Sequence, residues 1–137
     1  MNIGDVVYFS DYEFLDGGHA DKLFVVLAFS ADKDDVIFVM ASSKGKEKNQ
    51  GCQPTQKKFF IRGGSSTFPK DTWLDLSRKP SLFKTKKVAS KIEKGACRVM
   101  TTLPPQKVNE IKNCLTRHSA ESLTREMCLI LGVSYKF

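Results

Sequence analysis

The chain has 137 residues, of which 41% are hydrophobic, so it is long enough for one domain whose core needs no metal or disulfide to hold it. No apolar run approaches the length of a membrane span. Lys and Arg number 22 against 15 Asp and Glu, and the net charge of +7 favours an acidic partner, of which nucleic acid is the commonest. A soluble surface that is simply basic explains the same charge.

The N-terminus and the cysteines bear on the compartment and on metal binding. Residues 1–5 contain neither a basic region nor a long apolar region, so the sequence predicts no signal peptide and a cytoplasmic protein. The four cysteines are irregularly spaced and form no Cys-x-x-Cys pair, which argues against a zinc site. Cys114 and Cys128 fall in apolar periodic patterns and are predicted to be small core residues. We expect neither a metal nor a cofactor.

Short apolar runs rich in β-branched and aromatic residues dominate the first hundred positions and are typical of buried strands. The clearest two are residues 23–29 and 36–40, separated by an acidic turn. Predicted strands cover residues 4–9, 23–29, 36–40, 58–62, 72–76, 87–90 and 97–101. Strands spaced this closely by turn residues indicate a small barrel or sandwich. Long polar segments at 10–21 and 44–56 flank the central pair, and such loops often carry binding and chemistry.

The last third of the chain predicts two helices. Pro104 and Pro105 can begin the first, and apolar residues then recur at helical spacing through Leu115. A second helix is predicted from an N-cap at Ser119 to a stop at Gly132. His118 is predicted to lie in the turn between them. The predicted fold is therefore a mainly β, α+β single domain over residues 1–137, with a barrel over about 3–103 and two helices over about 104–132 packed on it.

Three segments occur in a familiar order: Gly-Asp-Val-Val-Tyr-Phe at 4–9, Asp-Lys-Leu-Phe-Val-Val-Leu at 21–27 and Val-Met-Ala-Ser-Ser at 39–43. Together with the step from Leu103 through two prolines into a helix, they resemble the MazF/PemK family of toxin endoribonucleases. Those proteins are small SH3-like barrels that cut single-stranded RNA. The resemblance covers roughly residues 3–115 and implies an SH3-like barrel here. The family usually has Arg and Pro where this chain has Lys22 and Leu23, and Lys offers a phosphate a point charge rather than a fork of two hydrogen bonds.

Cleavage of RNA without a metal requires proton transfer and hydrogen-bond donors or cations around the phosphate. By chemistry and by family-like position, His19 is the candidate for proton transfer, Lys22 for contact with the phosphate, and Ser42 or Ser43 for donation to it. A simple hairpin would bring Lys22 and Ser43 to the same open end. Each residue also has a non-catalytic interpretation. The histidine is then simply solvated, the lysine protects an apolar strand from aggregation, and the serines cap a turn.

A basic surface that could track an RNA backbone is predicted from the loop after residue 43 and the strand that follows it. Its members are Lys44, Lys46, Lys48, Lys57, Lys58 and Arg62. A solvated charged loop explains the same residues. Lys84, Lys86 and Lys87 form a second cluster with the same two interpretations. The aromatic residues best placed to stack on a base are Tyr8, Tyr12 and Phe14.

The resemblance implies a toxin-type endoribonuclease that cleaves single-stranded RNA by attack of the 2′-hydroxyl, forms a homodimer and is inhibited by an antitoxin protein. Two alternatives stay open, because one barrel can host many functions. The first is a non-catalytic SH3-like barrel that binds RNA or protein. The second is an interaction module in which the terminal helices bind a partner and the charge is incidental.

Overall fold

Eight strands and three α-helices make up an α+β fold in the computed structural model, which describes residues 1–14, 16–64 and 68–134. The strands are β1 (Asp5–Glu13), β2 (His19–Phe29), β3 (Asp35–Ser42), β4 (Gly51–Gln53), β5 (Lys58–Ile61), β6 (Thr72–Asp75), β7 (Ser81–Lys84) and β8 (Cys97–Thr102). The helices are α1 (Thr85–Glu93), α2 (Pro105–His118) and α3 (Arg125–Leu131). No helix within the described ranges is long and apolar enough to cross a membrane.

All the strand pairs are antiparallel, and they follow the order β4-β5-β6-β3-β2-β1-β8, with β7 added against β3. β2 lies centrally, where Val25 faces Val6 of β1 on one side and Val39 of β3 on the other. β3 changes neighbours along its length: Phe24 of β2 faces its Met40, whereas Ser42 faces Trp73 of β6. The start of β2 and the end of β3 therefore belong to different strand pairs.

The central strands are buried on both faces, which explains why their sequences are continuous apolar runs rather than alternating ones. Val25 and Leu27 of β2 point into one core cluster, which also includes residues of α2 and α3. Phe24 and Val26 point into a second cluster, which Val88 of α1 helps to close. Neighbouring strand residues face opposite sides, so the same run of β2 supplies both clusters.

Six of the predicted strands are confirmed, in β1, β2, β3, β5, β6 and β8. β1 and β2 extend further than predicted, since Tyr12 pairs with Ala20 and Glu13 with His19. Much of the predicted loop at 10–21 is therefore a hairpin. The short strands β4 and β7 were not predicted, because three or four residues carry too little periodicity to identify a strand.

The strand predicted at 87–90 is wrong, because these residues lie inside α1. Val88 is fully buried and Ile92, one helical turn later, packs on the same cluster. The predicted window was shorter than one repeat of this pattern, so its period could not be recognised.

The first C-terminal helix is confirmed: α2 begins at Pro105 and buries Val108, Ile111 and Leu115. The second begins later than predicted. Thr124 is its N-cap and accepts a 3.1 Å hydrogen bond from the Met127 N–H, whereas residue 119 precedes a 3₁₀ turn. Its end is confirmed at Gly132, whose φ of 74° is the left-handed conformation that glycine adopts without strain.

A disulfide joins Cys52 of β4 to Cys114 of α2. Cys114 is buried, as predicted, yet its sulfur is bonded rather than free. Nothing in the spacing of the cysteines indicated the pair, which is separated by 62 residues. Cys128 and Cys97 are buried free thiols.

Candidate functional site

A cleft of about 270 Å³ opens beyond the last β2–β3 pair, between the start of β2, the end of β3 and the segment that leads into β6. Its floor includes apolar residues such as Leu23 and Phe68. Its polar lining consists of Asp21, Lys22, Ser42, Ser43, Lys70, Asp71 and Thr72. The structure thus brings together three of the four residues predicted to be catalytic.

Lys22 and Ser42 both line the cleft, just beyond the point where β2 and β3 stop pairing. The Lys22 ammonium lies 5.8 Å from the centre of the Phe14 ring, within the range of a cation–π contact. An ammonium and a hydroxyl at neighbouring positions can contact adjacent oxygens of one phosphate.

The two serines differ in what they already bind. Ser42 Oγ accepts a 3.0 Å hydrogen bond from the Lys44 N–H. This is the turn-capping role that the sequence offered as the alternative to a phosphate contact. Its O–H remains available as a donor, since a hydroxyl both donates and accepts. Ser43 is exposed at the rim of the cleft.

Among the described residues, His19 is not one of those that line the cleft. Its Nδ1 is 3.3 Å from Asp11 Oδ1, and 47% of its side chain is exposed. An N–H at Nδ1 that donates to Asp11 leaves Nε2 as a proton acceptor open to solvent. His19 is three positions before Lys22 in one strand, so the two side chains leave β2 on opposite faces.

Asp21 organises the hairpin between His19 and the cleft. Its carboxylate accepts a 2.5 Å hydrogen bond from the Tyr8 hydroxyl and one of 2.9 Å from the Asp11 N–H. Asp11 has a φ of 55° within a β-bulge, so this contact supports an uncommon backbone conformation. The hydrogen bond from Tyr8 lowers the pKa of Asp21 most, and the bond from the Asp11 N–H lowers it further. The Tyr8–Asp21 bond also raises the pKa of Tyr8.

The basic loop, residues 44–50, is packed against Trp73. The indole N–H of Trp73 donates a 2.8 Å hydrogen bond to the Glu47 carbonyl, and the Gln53 amide donates to that carbonyl and to Asn49 O. Gly45 lies flat on the ring, since a Cβ there would be 2.4 Å from Trp73 Cδ2. These contacts give the lysines of the loop a defined position.

Asp71 connects the basic loop to the cleft that it lines. Its carboxylate accepts a 2.8 Å hydrogen bond from the Gly63 N–H and pairs with Lys48 at 3.0 Å. The hydrogen bond from Gly63 lowers the pKa of Asp71 most, and the contact with Lys48 lowers it further. Cleft and loop therefore form one continuous surface.

The other predicted RNA-binding residues lie in three different places. Lys44 and Lys46 are exposed on the loop, and the Lys58 ammonium lies 3.4 Å from the Lys44 carbonyl. Arg62 lies at the opposite end of β5, with its guanidinium 6.0 Å from the centre of the Phe60 ring. Lys57 is different, because it pairs with Glu121 of the 3₁₀ turn before α3.

Sequence reasoning missed Asp11, Asp21 and the cleft residues 70–72. Asp21 could have been noticed, because it directly precedes Lys22 in a polar strand start. Asp11 is at the site because of the bulge in β1, and residues 70–72 are there because they lead into β6. Neither the bulge nor the pairing of β6 can be recognised from a local sequence pattern. Within the described ranges, no group of three or more His, Cys, Asp or Glu residues is arranged to hold a metal ion.

No protein-family model matches this chain, and a comparison with curated proteins found no match.

Proposed function

We propose that this chain is a toxin-type endoribonuclease that binds single-stranded RNA across the basic loop and cleaves it, without a metal, at the cleft. One observation carries the proposal: Lys22, Ser42 and Ser43 line a single cleft whose Asp71 is paired with Lys48 of the basic loop. A polyanion lying on that loop would be led directly to an ammonium and two hydroxyls.

In the proposed reaction, the 2′-hydroxyl of a ribose attacks the adjacent phosphorus. The bond to the 5′-oxygen of the next nucleotide breaks, which leaves a 2′,3′-cyclic phosphate and a 5′-hydroxyl. Lys22 and a serine hydroxyl stabilise the charge that builds on the phosphate oxygens. His19 is assigned the removal of the 2′-hydroxyl proton, because its Nδ1 lies 3.3 Å from Asp11 and 47% of its side chain is exposed. The departing 5′-oxygen takes a proton from water.

The remainder of the proposal is supported by the resemblance to MazF/PemK proteins. It comprises closure of the sheet as an SH3-like barrel, a homodimer, an antitoxin protein that covers the RNA surface, and a cytoplasmic location.

A second candidate is a non-catalytic RNA-binding barrel. It is favoured by the placement of His19 and Lys22 on opposite faces of β2, since one phosphate does not readily contact both. In that case the basic loop and the cleft bind RNA, and no bond is broken.

The deciding experiment incubates the purified chain with single-stranded RNA in the presence of a chelator and maps the ends. The nuclease predicts fragments with a 5′-hydroxyl and a 2′,3′-cyclic phosphate. Intact RNA that is retained in a salt-sensitive complex would support the second candidate, and neither cleavage nor binding would exclude both.

A histidine variant separates catalysis from a contaminating nuclease. His19→Ala is expected to abolish cleavage while RNA binding persists. His118→Ala is the matched control, since this exposed histidine ends α2 and lines a different groove. Cleavage that survives His19→Ala would remove His19 from the mechanism.

A further inference from the structure

A second groove, of about 400 Å³, runs between β4 and α2 and contains the Cys52–Cys114 disulfide. Its polar lining is mainly cationic or neutral: Lys107, Asn113, Arg117 and His118 accompany a single carboxylate, Glu110. This surface is separate in its residues from the cleft and from the basic loop, apart from the loop's last position, Gln50.

The two cysteines of the disulfide differ in accessibility. Cys52 is exposed, whereas Cys114 has only 2% of its surface exposed. A thiolate attacks a disulfide in line with the bond, at the sulfur that it can reach. An incoming thiol in the groove would therefore bond to Cys52 and displace Cys114.

Charge in the groove favours an anionic thiol as the attacking molecule. Lys107 is partly neutralised by Glu110, at 3.2 Å, whereas Arg117 and His118 are exposed near the other end of α2. Arg117 and His118 are three and four positions after Cys114, which places them on the same helix face as the departing sulfur. A positive charge there attracts carboxylates and also stabilises the thiolate that leaves.

We propose that Cys52 is an S-thiolation site for a small anionic thiol, such as a thiol-bearing peptide with free carboxylates. The thiolate of the peptide forms a new S–S bond with Cys52 Sγ, and the Cys52–Cys114 bond breaks. Its electron pair stays on Cys114, which then takes a proton from water. The step is an exchange, so it consumes no oxidant.

The position of β4 gives this exchange a structural consequence. Among the described residues, β4 is an end strand of the sheet that pairs only with β5, and the disulfide is its covalent link to α2. The basic loop runs directly into β4, so exchange at Cys52 releases the end of that loop from the helix. Disulfides that occur in reducing compartments are usually of this exchangeable kind.

The test uses the full chain with its disulfide intact and three thiols at equal thiolate concentration: glutathione, which is anionic, 2-mercaptoethanol, which is neutral, and cysteamine, which is cationic. After acid quenching and alkylation, peptide mass mapping reports which cysteine carries the adduct. We expect the adduct on Cys52, an alkylated Cys114, and the fastest reaction with glutathione.

A charge variant tests whether the groove selects the thiol. Arg117→Gln should slow the reaction with glutathione roughly threefold more than the reaction with 2-mercaptoethanol, which is the effect of one exposed charge pair. Lys86→Gln on α1 is the control with the same change in net charge. The proposal is overturned if the adduct forms on Cys114, if the thiols react equally, or if both cysteines are free thiols in the protein as isolated.

Discussion

The Tyr8 hydroxyl donates a 2.5 Å hydrogen bond to the Asp21 carboxylate, which also holds the N–H of Asp11. One side chain of β2 thereby supports the bulge of β1 that turns the Asp11 carboxylate towards His19. Asp21 itself lines the cleft beside Lys22. Its hydrogen bond from the Asp11 N–H therefore connects the cleft to the residue that pairs with His19.

The Tyr8–Asp21 bond predicts a stability contribution that is confined to a pH window. The pKa of Asp21 is lowered by folding, so its contribution is complete above the unfolded value, about 3.9, and is lost as pH falls through the folded value. The pKa of Tyr8 is raised, so its contribution is complete below the unfolded value, about 10, and is lost as pH rises through the folded value.

The measurement compares Tyr8→Phe with the unchanged chain in denaturant titrations across pH. We expect the difference in unfolding free energy to be largest near neutrality and to shrink at both extremes. Tyr12→Phe is the control, because its hydroxyl has no hydrogen-bond partner among the described residues. A Tyr8→Phe difference that does not vary with pH would contradict the assignment.

Lys22 is expected to contribute more to RNA cleavage than to RNA binding. Lys22→Ala should slow cleavage roughly 100-fold, because it removes a charge aimed at the phosphate in the transition state. Lys22→Arg should keep most of the activity, since a guanidinium can donate to the same oxygens. Single-turnover cleavage and filter binding measure the two effects, with Lys86→Ala as the control. Equal losses in both assays would reduce Lys22 to a binding residue.

The exposed lysines of the basic loop should determine how RNA affinity depends on salt. Removing two phosphate contacts in Lys44→Ala/Lys46→Ala should reduce the slope of log affinity against log salt by about 1.4 for a single strand. Lys57→Ala should leave the slope unchanged, because that lysine pairs with Glu121. A larger effect at Lys57 than in the loop would place the RNA on another surface.

Gly45 should tolerate no side chain, because its backbone packs on the ring of Trp73. In Gly45→Ala we expect the loop to move off the ring, with loss of the Trp73–Glu47 hydrogen bond and a shift in indole fluorescence. Trp73 is the sole tryptophan of the chain, so the emission reports this site directly. Lys46→Ala in the same loop is the control, and an unchanged spectrum in Gly45→Ala would show that the loop does not pack there.

The disulfide should stabilise the fold, because it closes a long loop in the unfolded chain. With a sequence separation of 62 between the cysteines, Cys52→Ser/Cys114→Ala is expected to lower the unfolding free energy by about 2–4 kcal/mol. Urea titrations with and without a reductant measure this. A reductant should destabilise the unchanged chain and leave the double variant unaffected, and identical midpoints for the two proteins would contradict the expectation.

Much of the β framework was predictable, because strands such as 23–29 and 36–40 are continuous apolar runs bounded by turn residues. The helix at α1 was not, since Val88 and Ile92 show a helical period only across a window longer than residues 87–90. The start of α3 was misplaced for a similar reason. Both Ser119 and Thr124 are residue types that cap helices, and only packing decides between them.

The candidate site was predictable in part. Lys22 and the serines were identified because each lies at the end of an apolar run, and two neighbouring strands bring such ends together. The contribution of residues 70–72 depends on the exchange of partners along β3, from β2 to β6, which is a long-range event. The pairing of His19 with Asp11 depends on a bulge that no local pattern reveals.

By itself, the order of residues determined the basic charge, the strands with apolar runs, the helix that begins at Pro105 and the residue types available for chemistry, because these follow from composition and local periodicity. Only the tertiary structure decided which of those residues meet. It placed His19 and Lys22 on opposite faces of one strand, joined Asp71 to Lys48 and bonded Cys52 to Cys114. Such contacts depend on register and on the packing of distant segments, and neither is encoded in any short stretch of the chain.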